Sequence, residues 1–302
     1  MVTEARIFLV DASIYVFRSW HVLPDTIVDA EGEAANAVYG FADFLLQLLA
    51  RGRPTHLALA FDESLASSVR NDLFPDYKAN RDPAPDELRR QFGLCRELAE
   101  AAGFAGFSSP HFEADDVIAT IAARMRAHGF QHTVVTGDKD LAQLIHDGDE
   151  WWDFQRERRL DRHGIEKHFG VRPDQIADML ALAGDKIDNI PGVPGIGQAT
   201  AVRLLRRWGD IDGIYAALDQ VPTMQIRGAR RIAGLLAEHE PAVRLARQLT
   251  GTLDTDSVPT NADAYTLASP DLAALDECFD RLGFGPDRRR RWHDAVATPV
   301  TP

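Results

Sequence analysis

The chain has 302 residues, 45% of them hydrophobic, enough to bury one large core or two modest ones. Its formal net charge of −13 argues against coating nucleic acid through bulk charge, although local basic stretches such as Arg203 to Arg207 and Arg227 to Arg231 leave patchy phosphate contacts open. No apolar run reaches about 18 residues, and Met1 to Asp11 lacks the pattern of a secretion signal, so a cytoplasmic protein without a membrane span is expected.

The first half reads as alternating strand and helix. Arg6–Val10 is an apolar strand, and Ala35–Arg51 carries apolar residues at helical spacing. His56–Phe61 is a strand, Asp86–Ala102 a helix and Ala105–Phe107 a brief strand. Glu113–His128 is a helix, His132–Thr136 a strand, Asp138–Ile145 a helix and Glu150–Phe154 a last strand. This alternation predicts an α/β domain over residues 1–172, with a mainly parallel central sheet flanked by helices. The polar, basic interval Ser64–Pro85, holding Arg70, Lys78, Arg81, Phe74 and Tyr77, breaks the rhythm as a functional loop would. After about Arg172 only helices are expected until the tail: Pro173–Ala183, Gln198–Trp208, Ile211–Leu218, Ala229–Glu238 and Ala242–Leu249. The tail carries a strand-like Tyr265-Thr266-Leu267 and a final helix near Asp271–Leu282. Cys95 and Cys278 are expected as buried, reduced thiols.

Nine acids fall where strands end and helices begin. Asp11 and Asp62 each close an apolar run; Glu113, Asp115 and Asp116 open a helix; Asp138 and Asp140 follow the strand ending at Thr136; Asp185 and Asp188 lie in one short loop. A parallel sheet presents its strand C-termini along one crevice. So many like charges cannot stay ionised together without cations to neutralise them. Taken alone, Glu113, Asp115 and Asp116 read as helix caps; taken with the others they read as metal ligands. Oxygen-only donors point to Mg²⁺ or Mn²⁺ rather than Zn²⁺. Two such ions about 3.5–4 Å apart suit phosphodiester hydrolysis. His21, His56 and His111 are isolated, and no serine or cysteine nucleophile constellation competes.

The segment Ile190-Pro191-Gly192-Val193-Pro194-Gly195-Ile196-Gly197, followed by Gln198-Ala199-Thr200, joins two helices. Its bare N–H groups and the helix start beyond it can face a phosphate, and its likeness to the helix–hairpin–helix element that grips DNA backbones makes Gly192, Val193, Gly195, Ile196, Gly197 and Thr200 candidate DNA contacts. It lacks the Gly-Lys-Ser/Thr ending of a nucleotide-binding loop.

With Val10-Asp11-Ala12-Ser13, Ala37 to Phe41, Phe61-Asp62, Tyr77-Lys78-Ala79-Asn80-Arg81, Glu113-Ala114-Asp115-Asp116, Gly137 to Asp140 and Gly184 to Gly197 in order, the chain resembles the FEN-type 5′ nucleases, in particular the bacterial 5′→3′ exonuclease. The resemblance implies a PIN/FEN-like nuclease core over 1–172 with a helical arch at about 64–92. A helix–hairpin–helix region over 173–254 and a C-terminal segment, 255–302, packing back on the core would follow. Asp11, Asp62, Glu113, Asp115 and Asp116 would surround the first metal, and Asp138, Asp140, Asp185 and Asp188 the second. Lys78, Arg81 and Arg18 match basic positions at the scissile phosphate, while Phe17 stands where the family usually has Tyr. Phe17 would then stack the terminal base through its ring, Tyr77 would be a further DNA contact, and the hairpin would hold duplex and can take K⁺. The implied activity is structure-specific 5′ nuclease action on DNA with 5′ flaps, 5′ ends or RNA–DNA junctions, in replication and repair, by a monomer. Alternatives are a PIN-like ribonuclease, whose minimal form has no place for the hairpin and arch, and a non-catalytic branched-DNA-binding protein. The Arg288–Arg291 run could touch DNA or solvate the terminus.

Overall fold

A computed structural model describes residues 5–62 and 68–297. In chain order the elements are β1 (Arg6–Asp11), α1 (Ala12–Val22), α2 (Asn36–Gly52), β2 (His56–Asp62), α3 (Val69–Leu73) and α4 (Asp86–Ala101). Then come β3 (Ala105–Ser109), α5 (Ala114–Ala127), β4 (Gln131–Val135), β5 (Glu150–Asp153), β6 (Arg158–Leu160) and α6 (Arg162–Phe169). The remaining helices are α7 (Ile176–Ala183), α8 (Gln198–Trp208), α9 (Ile211–Ala216), α10 (Ala229–Thr250), α11 (Leu272–Arg281) and α12 (Pro286–Ala297). The chain forms two compact units, one from Met1–Ala66, Pro83–Gly137 and Asp254–Pro302, the other from Ser67–Asp82 and Asp138–Leu253. These bounds differ from a division near 172: residues 138–172 are compact with the helices, and the interval expected as an arch is shared between the units. Residues 64–67 of that interval lie outside the described residues.

In the first unit β1 pairs in parallel with β2 and with β4, and β2 pairs in parallel with β3. Ile7, Leu9, Leu57 and Leu59 are almost wholly buried, as expected of strands covered on both faces, whose sequences run apolar rather than alternating. Helix α1 is an element the sequence pattern did not suggest. Asp11 caps it by accepting from the Ile14 N–H, and Tyr15 stacks on Phe44 of α2 with ring centroids 3.8 Å apart. No cap comes from α2's own N-cap side chain. The wholly buried Gln91 of α4 supplies one, its Oε1 accepting from the N–H groups of Ala37 at 2.7 Å and Val38 at 3.3 Å. Two corrections concern the tail. Tyr265 lies in a 3₁₀ turn, Ala262–Tyr265, and only Thr266 bridges to His56; helix α12 follows the expected last helix. Trp292 anchors α12 with no exposed surface. Cys95 and Cys278 are free thiols.

In the second unit β5 and β6 form an antiparallel ladder, with Arg159 over the ring of Trp152 at 3.6 Å. Asp138–Ile145 contains only a 3₁₀ helix, Asp140–Leu144. The segments Ala229–Glu238 and Ala242–Leu249 are one helix, α10, that runs through Pro241. Arg70 of α3 is buried and donates to the carbonyls of Leu249, at 2.9 Å, and Gly251, at 2.7 Å, satisfying the C-terminal end of α10.

Candidate metal centre and nucleic-acid interface

Each unit holds one of the two acidic groups. In the first, Asp11 and Asp62 end neighbouring parallel strands. Asp11 pairs with Ala60, so Asp62, two residues on, shares a sheet face with Ala60 at the same end. Asp62 Oδ1 accepts from the Ala114 N–H at 2.9 Å, which draws the first turn of α5 and its three acids to that end. Asp116 is wholly buried and accepts from the Glu113 N–H at 3.2 Å, while the Glu113 side chain completes a capping box. Asp11 Oδ2 accepts from the Thr136 hydroxyl at 2.9 Å. Capping is therefore present in the fold, yet a carboxylate has about four acceptor sites, so a cap and a cation can share one side chain. Among the described residues no three carboxylates, histidines or cysteines form a ready-made metal cage. Mg²⁺ is commonly held by only one or two carboxylates, with water or substrate oxygens completing its octahedron.

In the second unit, Asp138 Oδ1 accepts from the Asp140 N–H at 2.9 Å, which sets the two side chains together. Burial and the charge of Asp138 hold the Asp140 carboxyl well above the usual carboxylate range; burial and the charge of Asp188 raise Asp138 too. Asp140 Oδ1 is buried without a hydrogen bond, and the Lys139 ammonium stands 3.7 Å away. Lys139 instead donates to Asp185 Oδ2 at 2.6 Å. Burial works against the Asp185 charge, but Lys139 and the N–H groups of Ile187 and Asp188 outweigh it and lower its pKa. A paired bridge, Asp185 with Ile190 at 2.8 and 2.7 Å, closes the loop. Asp188 meets three residues of the segment 76–81: its Oδ1 accepts from Arg81 at 2.6 Å with Lys78 Nζ at 4.0 Å, and its Oδ2 from the Tyr77 hydroxyl at 3.2 Å. Hard oxygen donors, a buried carboxylate oxygen with no hydrogen bond and a mutually repelling pair together fit a divalent cation.

The hairpin between α7 and α8 is built on close backbone approach. Gly192, at φ +61°, leaves no room for a Cβ, which would sit 2.3 Å from the Gly184 nitrogen. Val193 and Ile196 are 2% exposed, so their side chains serve the core and only their backbone could meet a ligand. Gly195 and Gly197 are exposed, and no side chain caps the N-terminus of α8. Thr200 lies in the first turn of α8 and is half-buried.

Other candidates divide. Arg18 is exposed on α1, while Phe17 is half-buried and packs edge-on against Phe92 at 5.2 Å. The Arg288–Arg291 run lies within α12: Arg288 bonds Asp43 at 3.0 Å and covers the Tyr39 ring, Arg289 pairs with Asp280 at 2.7 Å, and Arg290 pairs with Asp287. Lys139, Asn80 and Asn189 were not singled out from sequence. The only signal for Lys139 was a cation enclosed by acids.

The family model for the 5′-3′ exonuclease N-terminal resolvase-like domain matches residues 6–170, and that for the 5′-3′ exonuclease C-terminal SAM fold matches residues 171–273. The chain is 39% identical over 269 residues to DNA polymerase I of Rhizobium leguminosarum, covering 87% of this chain, and 34% identical over 286 residues to that of Bacillus caldotenax, covering 93%. It spans 26% and 32% of the lengths of these two relatives. Among solved structures, bacteriophage T5 flap endonuclease in a pseudo-enzyme-product complex with DNA and metal ions aligns with TM-score 0.65 at 21% identity, covering 97% of this chain and 100% of that one. The catalytic core of Rad2 in complex with DNA substrate aligns with TM-score 0.62 at 17% identity, covering 99% and 93%. These two likenesses show the fold.

Proposed function

Because the chain belongs to the 5′-3′ exonuclease family, we propose that it is a structure-specific 5′ nuclease, a 5′→3′ exonuclease and flap endonuclease that hydrolyses phosphodiester bonds. The observation that carries this reading is the meeting of Lys78, Arg81 and Tyr77 with Asp188 beside the Asp138–Asp140 pair. A place that gathers carboxylates and cations can hold a metal-bound phosphate between them. Asp11, Asp62, Glu113, Asp115 and Asp116 would hold one ion and Asp138, Asp140, Asp185 and Asp188 another, each Mg²⁺ or Mn²⁺. Such ions, when bound, supply a water of lowered pKa and positive charge for the leaving oxygen.

The chain's own residues then have distinct tasks. Arg81 and Lys78 exchange Asp188 for the scissile phosphate, positioning it and neutralising its charge, and exposed Arg18 adds a further cation. Half-buried Phe17 offers a ring contact to bases near the 5′ end, whereas Tyr77 is buried and acts through its hydroxyl bond to Asp188 rather than by stacking. The N–H groups around Gly195, Gly197 and the start of α8, with Thr200 beside them, hold a duplex phosphate, a contact indifferent to sequence. Backbone carbonyls of the same hairpin can take K⁺. The substrates are DNA with 5′ flaps, 5′ ends or RNA–DNA junctions, met by a monomer in the cytoplasm during replication and repair. Among the described residues no helix is long and apolar enough to cross a membrane.

A 5′-labelled flap duplex tests the proposal. The expected result is product released at the flap junction in Mg²⁺ or Mn²⁺ and none in EDTA. Tight binding without cleavage in either metal would leave a branched-DNA-binding protein, and cleavage confined to single-stranded RNA would leave a ribonuclease.

A further inference from the structure

Segment 76–81 and the loop 185–190 are tied together by more than the ionic contacts at Asp188. The Asn189 side-chain amide donates to the carbonyl of Asp76 at 2.7 Å, and that of Asn80 donates to the carbonyl of Lys186 at 2.9 Å. Between them the Lys78 N–H donates to the Asp188 carbonyl at 3.0 Å. Asn71 of α3 donates to the Tyr77 carbonyl at 2.9 Å and fixes the turn that carries Lys78. Two non-glycine residues in this clasp hold left-handed backbone conformations, Lys78 at φ +55° and Asn189 at φ +58°. Asparagine tolerates that region; lysine has no such ease, and the strain at Lys78 is held by the bonds on either side of it.

We propose that Asn80 and Asn189 are positioning residues that fasten the arch segment to the acidic loop, so that Lys78, Arg81 and Asp188 are set as one piece. The proposal rests on the nuclease reading and adds to it the device that orders its cationic and anionic groups relative to one another. Its chemistry is plain. Asp188 would be a metal ligand and Arg81 a phosphate ligand, and a shift of about 1 Å between such groups can cost on the order of a hundredfold in rate. Both amide bonds are solvent-exposed, so each adds little to stability. Their worth lies in geometry.

Asn189→Gly separates the two roles of that residue, because glycine keeps the left-handed backbone and loses the amide. Asn80→Ala removes the other tie. With flap duplex and Mg²⁺ or Mn²⁺, both variants are expected to lose roughly tenfold or more in single-turnover rate while DNA affinity changes less than about twofold. Hydrogen exchange of the full chain without DNA gives the second readout. The amides of residues 76–81, Lys78 above all, are expected to exchange faster in both variants while the rest of the molecule is unchanged. Wild-type exchange at 76–81 in Asn189→Gly and Asn80→Ala would overturn the clasp, and so would faster exchange with a wild-type cleavage rate. Exchange accelerated throughout the molecule would also overturn it, showing a general structural role. If the wild-type chain cleaves nothing, the nuclease reading fails, and the exchange result still decides whether the clasp exists.

Discussion

A methyl group added at Gly192 would sit 2.3 Å from the Gly184 nitrogen, whereas at Gly195 it would meet nothing nearer than 3.9 Å, although both backbones are left-handed. Gly192→Ala is therefore expected to lose more than about 2 kcal/mol in urea unfolding, since the obstacle is backbone that cannot swing aside. Gly195→Ala should lose about 1–2 kcal/mol, from the backbone conformation alone. Gly195→Glu adds negative charge at the exposed face and should weaken duplex binding about tenfold or more in fluorescence anisotropy at low salt; equal affinity would remove the phosphate-cradle role of the hairpin. Asp29 offers a test of charge in the first unit. It is 6% exposed, its Oδ1 accepts from the N–H groups of Glu31 and Glu33, and its Oδ2 accepts from Arg90 at 2.8 Å. Burial works to raise its pKa, but Arg90 and the two N–H groups outweigh it and hold the carboxyl below its usual range. A lowered folded pKa stabilises above the unfolded value and is lost as pH falls through the folded one. Asp29→Asn should thus cost about 1–3 kcal/mol at neutral pH, and the gap from wild type should narrow below about pH 4; a gap that widens in acid would contradict the ion pair.

The elements easiest to read from sequence were those whose own composition carries the signal. Ile7 to Val10 in β1 and Leu57 to Phe61 in β2 are unbroken apolar runs, and the acids that close them could be read because a strand end fixes where the next side chain lies. Helix α1 was hidden. Its run Ile14 to Phe17 is β-branched and aromatic, a composition that favours strands, and the Asp11 cap with the Tyr15–Phe44 stack overrides it. In α12 four arginines masked a helix whose local signs were Pro286 at the first position and Asp287 in the first turn. The clasp was unreadable because Asn189 and Asp76 are 113 residues apart, and only the tertiary fold brings them together. Pro241 misled in the other direction, since a proline ordinarily ends a helix and here α10 continues through it. Its ring is exposed, so replacement sacrifices no packing. Pro241→Ala should restore a helical hydrogen bond and raise stability by about 1–3 kcal/mol in a denaturant titration; a loss would mean that the proline fixes a bend that the unit requires.

For the molecule as a whole, a net charge of −13 gathered partly into two acidic groups is a cost that the folded chain carries and the unfolded chain relieves. Anything that binds the folded carboxylates and not the unfolded ones shifts the equilibrium by mass action. At about a hundred times its Kd, an ion gains about 2.7 kcal/mol, which corresponds to roughly 5–10 °C in melting temperature for a unit of 150–250 residues. Mn²⁺ should therefore raise the melting temperature in a concentration-dependent way that EDTA reverses. Asp140→Asn separates the metal role from a structural one by sign. The residue's buried oxygen has no hydrogen bond and its charge is opposed by Asp138, so removing that charge should raise stability in EDTA and shrink the Mn²⁺ shift together. Asp115→Asn should shrink the shift through the other unit's group, and the double variant should abolish most of it. A carboxylate kept only for the fold would do the opposite, lowering stability in EDTA and leaving the Mn²⁺ shift intact. That outcome at both positions would mean that the acids capping helices and closing strands hold the chain together and do not hold an ion.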